Sequence, residues 1–164
     1  MFPDSKLKNE NEPEFLSREA YEYALEKIYI SWTPNRNMKK SDLILFYRMG
    51  DKNTKKYSSV ITTLGIITDI SFDFKSKNEF LDKCKNRSVF SGIELNKFSE
   101  KLKNIVVVKF IYAKSLNKRP TLAFLWDEKI VKCGEGPRPF TKIKNCQFDS
   151  ILTKSETDIE FIKE

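Results

Sequence analysis

The chain contains no histidine. Without an imidazole it cannot build a Ser-His-Asp or Cys-His nucleophilic pair, or a metal site ligated by histidine. Cysteine is scarce as well. Cys84, Cys133 and Cys146 are odd in number and lack C-x-x-C spacing, so they indicate reduced, mostly packed thiols rather than a disulfide framework or a zinc knuckle. No Walker-type G-x-x-x-x-G-K-[ST], no Rossmann glycine pattern and no acetyl-CoA-binding glycine loop is present. No apolar stretch approaches the length of a membrane span. The start, Met1-Phe2-Pro3-Asp4-Ser5-Lys6, is polar and broken by proline, unlike a signal peptide. These absences lead to the expectation of a cytoplasmic, soluble protein with no cofactor, no metal and no membrane partner.

What is present suits one globular domain with a real core: 164 residues, 13 of them Phe, with 32% charged residues. The formal charge is +7, which favours a polyanionic partner such as nucleic acid. The lysines are spread along the whole length, from Lys39-Lys40 through Lys55-Lys56 and Lys101-Lys103 to Lys142-Lys144. Such even spacing also describes an ordinary solvated surface.

The stretch from Lys40 to Phe74 organises the rest. Leu43-Ile44-Leu45-Phe46-Tyr47 is a nearly continuous apolar run without a helical stripe and predicts a buried strand. Val60 to Ile70 predicts a second. The polar, glycine-containing segment Met49 to Lys56 predicts an exposed hairpin loop, so the two strands pair antiparallel. Gly65 inside the second strand suggests a bulge or a close backbone approach that curls the sheet. Lys27 to Trp32 alternates, with Ile28, Ile30 and Trp32 on one face, and predicts an earlier strand ended by Thr33-Pro34. Ile105 to Tyr112, broken only by Lys109, predicts a central strand. Capping boxes at Ser76-x-x-Glu79 and Ser91-x-x-Glu94 predict two helices. Thr121 caps a helix through Trp126, and Asn145 opens a closing helix after a Gly- and Pro-rich loop that enters a last extended segment. Ser17 caps a short helix to about Glu26. Residues 1–14 predict a disordered tail or linker, 15–155 the domain, and 156–164 an acidic C-terminal tail.

The strings SDLILFYRMG, VITTLGIITDI, RSVFS, RPTLAFLW and GPRPF, spread over Lys27 to Leu152, resemble the PUA-like superfamily, particularly its EVE-type members. Ser41-Asp42 stands where that family carries Gly-Asp. The resemblance implies an α+β domain: a small mixed, mostly antiparallel β-barrel flanked by short helices, often holding a flipped or modified base. It also suggests a narrower kinship with bacterial proteins that carry such a domain after an acetyltransferase-like or nuclease-like domain.

On that resemblance Ser31 and Trp32 stand where related barrels wall a base pocket. The spacing of Trp32 with Ile28 and Ile30 serves a core residue equally well. Tyr47 and Arg48 end a strand beside a basic loop, where Arg48 can stack or bind phosphate, or where Tyr47 covers a barrel end and Arg48 pairs with Asp51. One of Thr62 and Thr63 must point inward, and its hydroxyl then needs a partner, although Thr suits any strand. Arg87 and Ser88, ahead of a helix start, can hold a phosphate, or Arg87 is a surface charge beside the Ser91 cap. Arg119 and Arg138, beside prolines, are either loop-held anion clamps or partners in local ion pairs. No catalytic set emerges. The expected function is non-catalytic binding of nucleic acid, DNA or RNA, with a modified or flipped base in a pocket walled by Trp32 and Tyr47. The alternative is an interaction or regulatory domain that binds a fused or separate catalytic domain, another protein or a small metabolite. A third reading is an amidohydrolase of the related ASCH type.

Overall fold

The computed structural model describes residues 26–84, 88 and 90–159. The helix expected from Ser17 and the residue Arg87 lie outside them. The described residues form an α+β fold built on a four-stranded antiparallel sheet: β1 (Glu26–Trp32), β2 (Leu43–Arg48), β3 (Val60–Phe72) and β4 (Ile105–Ser115), in the order β1-β4-β3-β2. Five helices accompany it among the described residues: α1 (Lys55–Ser58), α2 (Lys77–Cys84), α3 (Gly92–Phe98), α4 (Leu122–Asp127) and α5 (Asn145–Ser155). In this order β1 and β2 are edges. The chain divides into two compact units, each made of two separate stretches: Met1–Ile44 with Gly65–Tyr112, and Leu45–Leu64 with Ala113–Glu164.

In the first unit β1 pairs antiparallel with β4, setting Ile28 opposite Lys109, Ile30 opposite Val107 and Trp32 opposite Ile105. Ile105 to Val108 are all fully buried, as a strand covered on both faces requires. Against Ile28, Ile30, Ile105 and Val107 pack Phe74, Phe80, Cys84 and Leu95. The α2 box forms with one change: Ser76 Oγ accepts from Glu79 N at 3.2 Å, while the Glu79 carboxylate reaches past Ser76 to Lys75 N at 2.9 Å. At α3 the box is reciprocal, with Ser91 N donating to Glu94 Oε2 at 2.9 Å and Glu94 N donating to Ser91 Oγ at 3.3 Å.

In the same unit Ser41 N donates to Ile67 O and Ile67 N to Asp42 O, at 2.8 and 2.9 Å. Ser41 has φ 72°. That is left-handed backbone, which glycine adopts at least cost.

The second unit holds the hairpin loop and the C-terminal helices. Ile61, Leu116, Leu122, Leu125 and Ile151 form one buried cluster, and Leu64, Leu152 and Ile159 a second. Ile61 N donates to Pro120 O and Leu122 N to Ser59 O, both at 2.9 Å, tying the start of β3 to the start of α4. Thr121 caps α4 by accepting from Phe124 N at 3.4 Å.

Several expectations change. β2 is a half-buried edge rather than a buried strand, since only one neighbour covers its ladder. The hairpin loop is exposed as expected, and within it a 3-10 turn at Lys52–Thr54 runs into α1. β3 passes unbroken through Gly65, which is buried. A close approach is found at Gly50, where a β-carbon would meet Ser58 Oγ at 2.0 Å and the Ser58 carbonyl carbon at 2.4 Å. No strand follows the Gly-Pro loop among the described residues. Lys144, not Asn145, holds the N-cap position of α5, its amide donating to Gln147 Oε1 at 2.9 Å. The helix ends in a Schellman arrangement, with Glu156 at φ 51° and Thr157 N donating to Leu152 O at 3.2 Å. This turn directs the chain back so that Thr157 and Ile159, in the expected tail, are buried.

Candidate functional site

The expected site residues divide between the units. Ser31, Trp32 and Ser88 belong to the first; Tyr47, Arg48, Thr62, Thr63, Arg119 and Arg138 belong to the second.

In the first unit Trp32 is 42% exposed. Its indole is already engaged: Nε1 donates to Lys101 O at 2.9 Å, and the ring meets Phe98 edge-on at 5.1 Å between centroids. Ser31 is buried and its hydroxyl is hydrogen-bonded to the Tyr29 phenol. Burial pushes the Tyr29 pKa above its ordinary 10.0, and the Ser31 bond opposes that rise. The Ser88 hydroxyl accepts from Phe90 N at 3.1 Å, a local turn bond. Five charges of this unit pair among themselves. Asp69 lies between Lys83 at 3.5 Å and Lys109 at 3.7 Å, and Arg36 bonds Asp73 at 3.2 Å while lying 4.8 Å over the Phe72 ring.

In the second unit Thr62 donates to Phe46 O at 3.3 Å, so the neighbouring strand satisfies its hydroxyl, while Thr63 is the more buried of the two. Arg119 and Arg138 are exposed on their loops. Tyr47 behaves differently. Its ring joins the buried cluster around Leu125 and Ile151, yet its hydroxyl is buried with no hydrogen-bond partner among the described residues. Leaving such a group unpaired costs about 1–3 kcal/mol.

The neighbours of that hydroxyl come from two distant stretches. A β-carbon built on Gly136 would lie 3.7 Å from Tyr47 Oη and 3.9 Å from Lys55 Nζ. The Gly136 loop is fixed from both sides. Trp126 Nε1 donates to Glu135 O at 2.7 Å, and Thr141 Oγ1 to Arg138 O at 2.7 Å. The Glu135 carboxylate faces Lys132 at 4.0 Å.

Next along the chain, Asp51 to Tyr57 are all exposed, and Tyr57 reaches 66%. Lys56 Nζ lies 5.3 Å over the Tyr57 ring. Sequence reasoning passed over Lys55, Tyr57 and Gly136. Periodicity marks Tyr57 as one more residue of a polar loop, and the only available signal was an aromatic standing directly after two lysines.

Among the described residues no group of three or more acidic or cysteine side chains is placed to hold a metal ion, and no helix is long and apolar enough to cross a membrane. No protein-family model matches the chain, and comparisons with curated proteins and with solved structures give no significant match.

Proposed function

We propose that the chain binds nucleic acid without catalysis, through the exposed segment Lys52 to Tyr57 of the second unit. The observation that carries this is an open aromatic ring beside a cation on a lysine-rich segment: Tyr57 is 66% exposed with Lys56 Nζ 5.3 Å over its ring, and Lys52 and Lys55 stand on the same exposed turn and helix. Such a surface stacks a base on the ring while ammonium groups neutralise adjacent phosphates. The indole of Trp32, bonded through Nε1 and edge-packed on Phe98, is a weaker stacking surface.

A PUA-like or EVE-type origin belongs to the same proposal. Ser41, standing where the resembled motif has glycine, adopts a glycine-favouring φ of 72°. A closed barrel would further require the β1 and β2 edges to be joined.

The test is anisotropy titration of short single-stranded DNA and RNA, unmodified and carrying modified bases, over a range of salt. Binding should weaken linearly on a log–log salt plot. Tyr57→Ala should weaken it by about 1–3 kcal/mol and leave the melting temperature unchanged. Absence of binding to any oligonucleotide at low salt would sink the proposal. A flat salt response would instead select a protein or small-molecule partner.

A further inference from the structure

We infer that Tyr47, Lys55 and the loop at Gly136 form a subsite for a phosphate group. Three observations converge. The Tyr47 hydroxyl is buried without a partner among the described residues, although buried hydroxyls in folded proteins are nearly always paired. Lys55 makes no ion pair among the described residues, and its Nζ borders the same point in space. At that point stands Gly136, where a β-carbon would meet both groups, at 3.7 and 3.9 Å.

A hydroxyl donor and an ammonium that both border Gly136 suit an anion with several acceptor oxygens. Arg138, two residues further along the same loop, is exposed. The carboxylate nearest in sequence, Glu135, faces Lys132 instead of Lys55. The Trp126 bond to Glu135 O holds the loop in place before any ligand arrives.

The subsite rests on the nucleic-acid proposal only for the source of the phosphate. A backbone phosphate of a polymer and the phosphate of a small ligand present the same oxygens, so both are tested. The probes are inorganic phosphate, a 5′-mononucleotide and a short single-stranded oligonucleotide, each titrated calorimetrically into the whole chain and into Tyr47→Phe, Lys55→Met and Gly136→Val.

Tyr47→Phe removes an unpaired hydroxyl and keeps the ring, so without ligand its melting temperature should match or exceed that of the parent. A clear drop would show that the hydroxyl has a partner and would overturn the subsite. Gly136 has no positive φ and its β-carbon would find only ordinary contacts, so Gly136→Val should fold. Each variant should bind phosphate-bearing ligands about tenfold or more weakly.

Oligonucleotide binding that is unchanged in all three variants removes the subsite and leaves the nucleic-acid reading intact. A mononucleotide that binds as tightly as the oligonucleotide, with both lost in the variants, keeps the subsite and removes that reading. Failure of all three probes to bind the parent overturns both.

Discussion

The two units are built from similar residues and spend them differently. In the first, the buried interior is partly aromatic, Phe74 meeting Phe80 edge-on at 5.4 Å and Phe90 meeting Phe98 at 4.9 Å, and Asp69, Lys83, Lys109, Arg36 and Asp73 are engaged with one another. In the second, the fully buried side chains Leu64, Leu122, Leu125 and Ile151 are aliphatic. Its aromatics Tyr47, Phe124 and Trp126 lie partly buried around them, Tyr57 stands open, and the Tyr47 hydroxyl has no partner among the described residues. A polar group left unsatisfied and an aromatic left exposed both cost stability, so the second unit is where a ligand has most to offer in return.

The sharpest way to test that contrast is to damage the first core alone. Phe80→Ala should cost about 3–5 kcal/mol, because a fully buried ring leaves both transfer energy and a cavity behind. Each unit carries one tryptophan, Trp32 in the first and Trp126 in the second, so Trp126→Phe and Trp32→Phe backgrounds report the units separately in guanidinium melts. Since β3 and β4 run through both units, the two probes should lose structure together. A melt in which Phe80→Ala shifts only the Trp32 signal would show two independently stable bodies.

A smaller effect separates the cysteines. Cys84 is fully buried and its thiol is pushed up from 9.0 to about 12 by that burial, with Lys109 pulling slightly the other way. A folded pKa above the unfolded one means stability complete below pH 9 and lost as pH rises toward 12. The loss should reach about 3 kcal/mol near pH 11. Tyr29 adds to it with the same sign above pH 10. Melts of Cys84→Ala should lack most of the decline. At neutral pH a thiol reagent should label the exposed Cys133 and Cys146 of the second unit and spare Cys84.

The smallest expected difference compares two caps. Ser91→Ala breaks a reciprocal pair of bonds and should cost about 1 kcal/mol; Thr121→Ala breaks one long bond of 3.4 Å and should cost about half as much. Chemical denaturation resolves both. Equal losses would mean that packing, not the cap bonds, fixes these helix starts.

Much of this fold could be read from the chain because its signals are local. The alternation around Ile28 and Ile30, the continuous apolar run at Ile105 and the boxes at Ser76 and Ser91 each act within a few residues. β2 escaped because an apolar run does not reveal how many neighbours a strand has. The tight contact of Gly50 against Ser58 was not foreseen, because it is set by how the loop winds into a helix. The candidate site was legible only in parts. Tyr47 and Arg138 were named for their types and places, but Lys55 and Gly136 join them through tertiary packing that no spacing encodes. Trp32 illustrates the converse: its wall-or-core alternatives omitted a third, a half-open ring pinned by a backbone carbonyl.

The weaving of each unit from two separated stretches sets an order of events during synthesis. β1 leaves the ribosome long before β4, its ladder partner, so the first unit stays open until the chain has emerged past Tyr112. The segment from Leu45 to Leu64 must wait longer still, because the helices that cover it come later. Until they arrive, Leu45, Ile61 and Leu64 are apolar surface without a cover. The nascent chain is therefore most vulnerable to misassociation between the completion of its first unit and the docking of α5, and a chaperone would find its target in that interval.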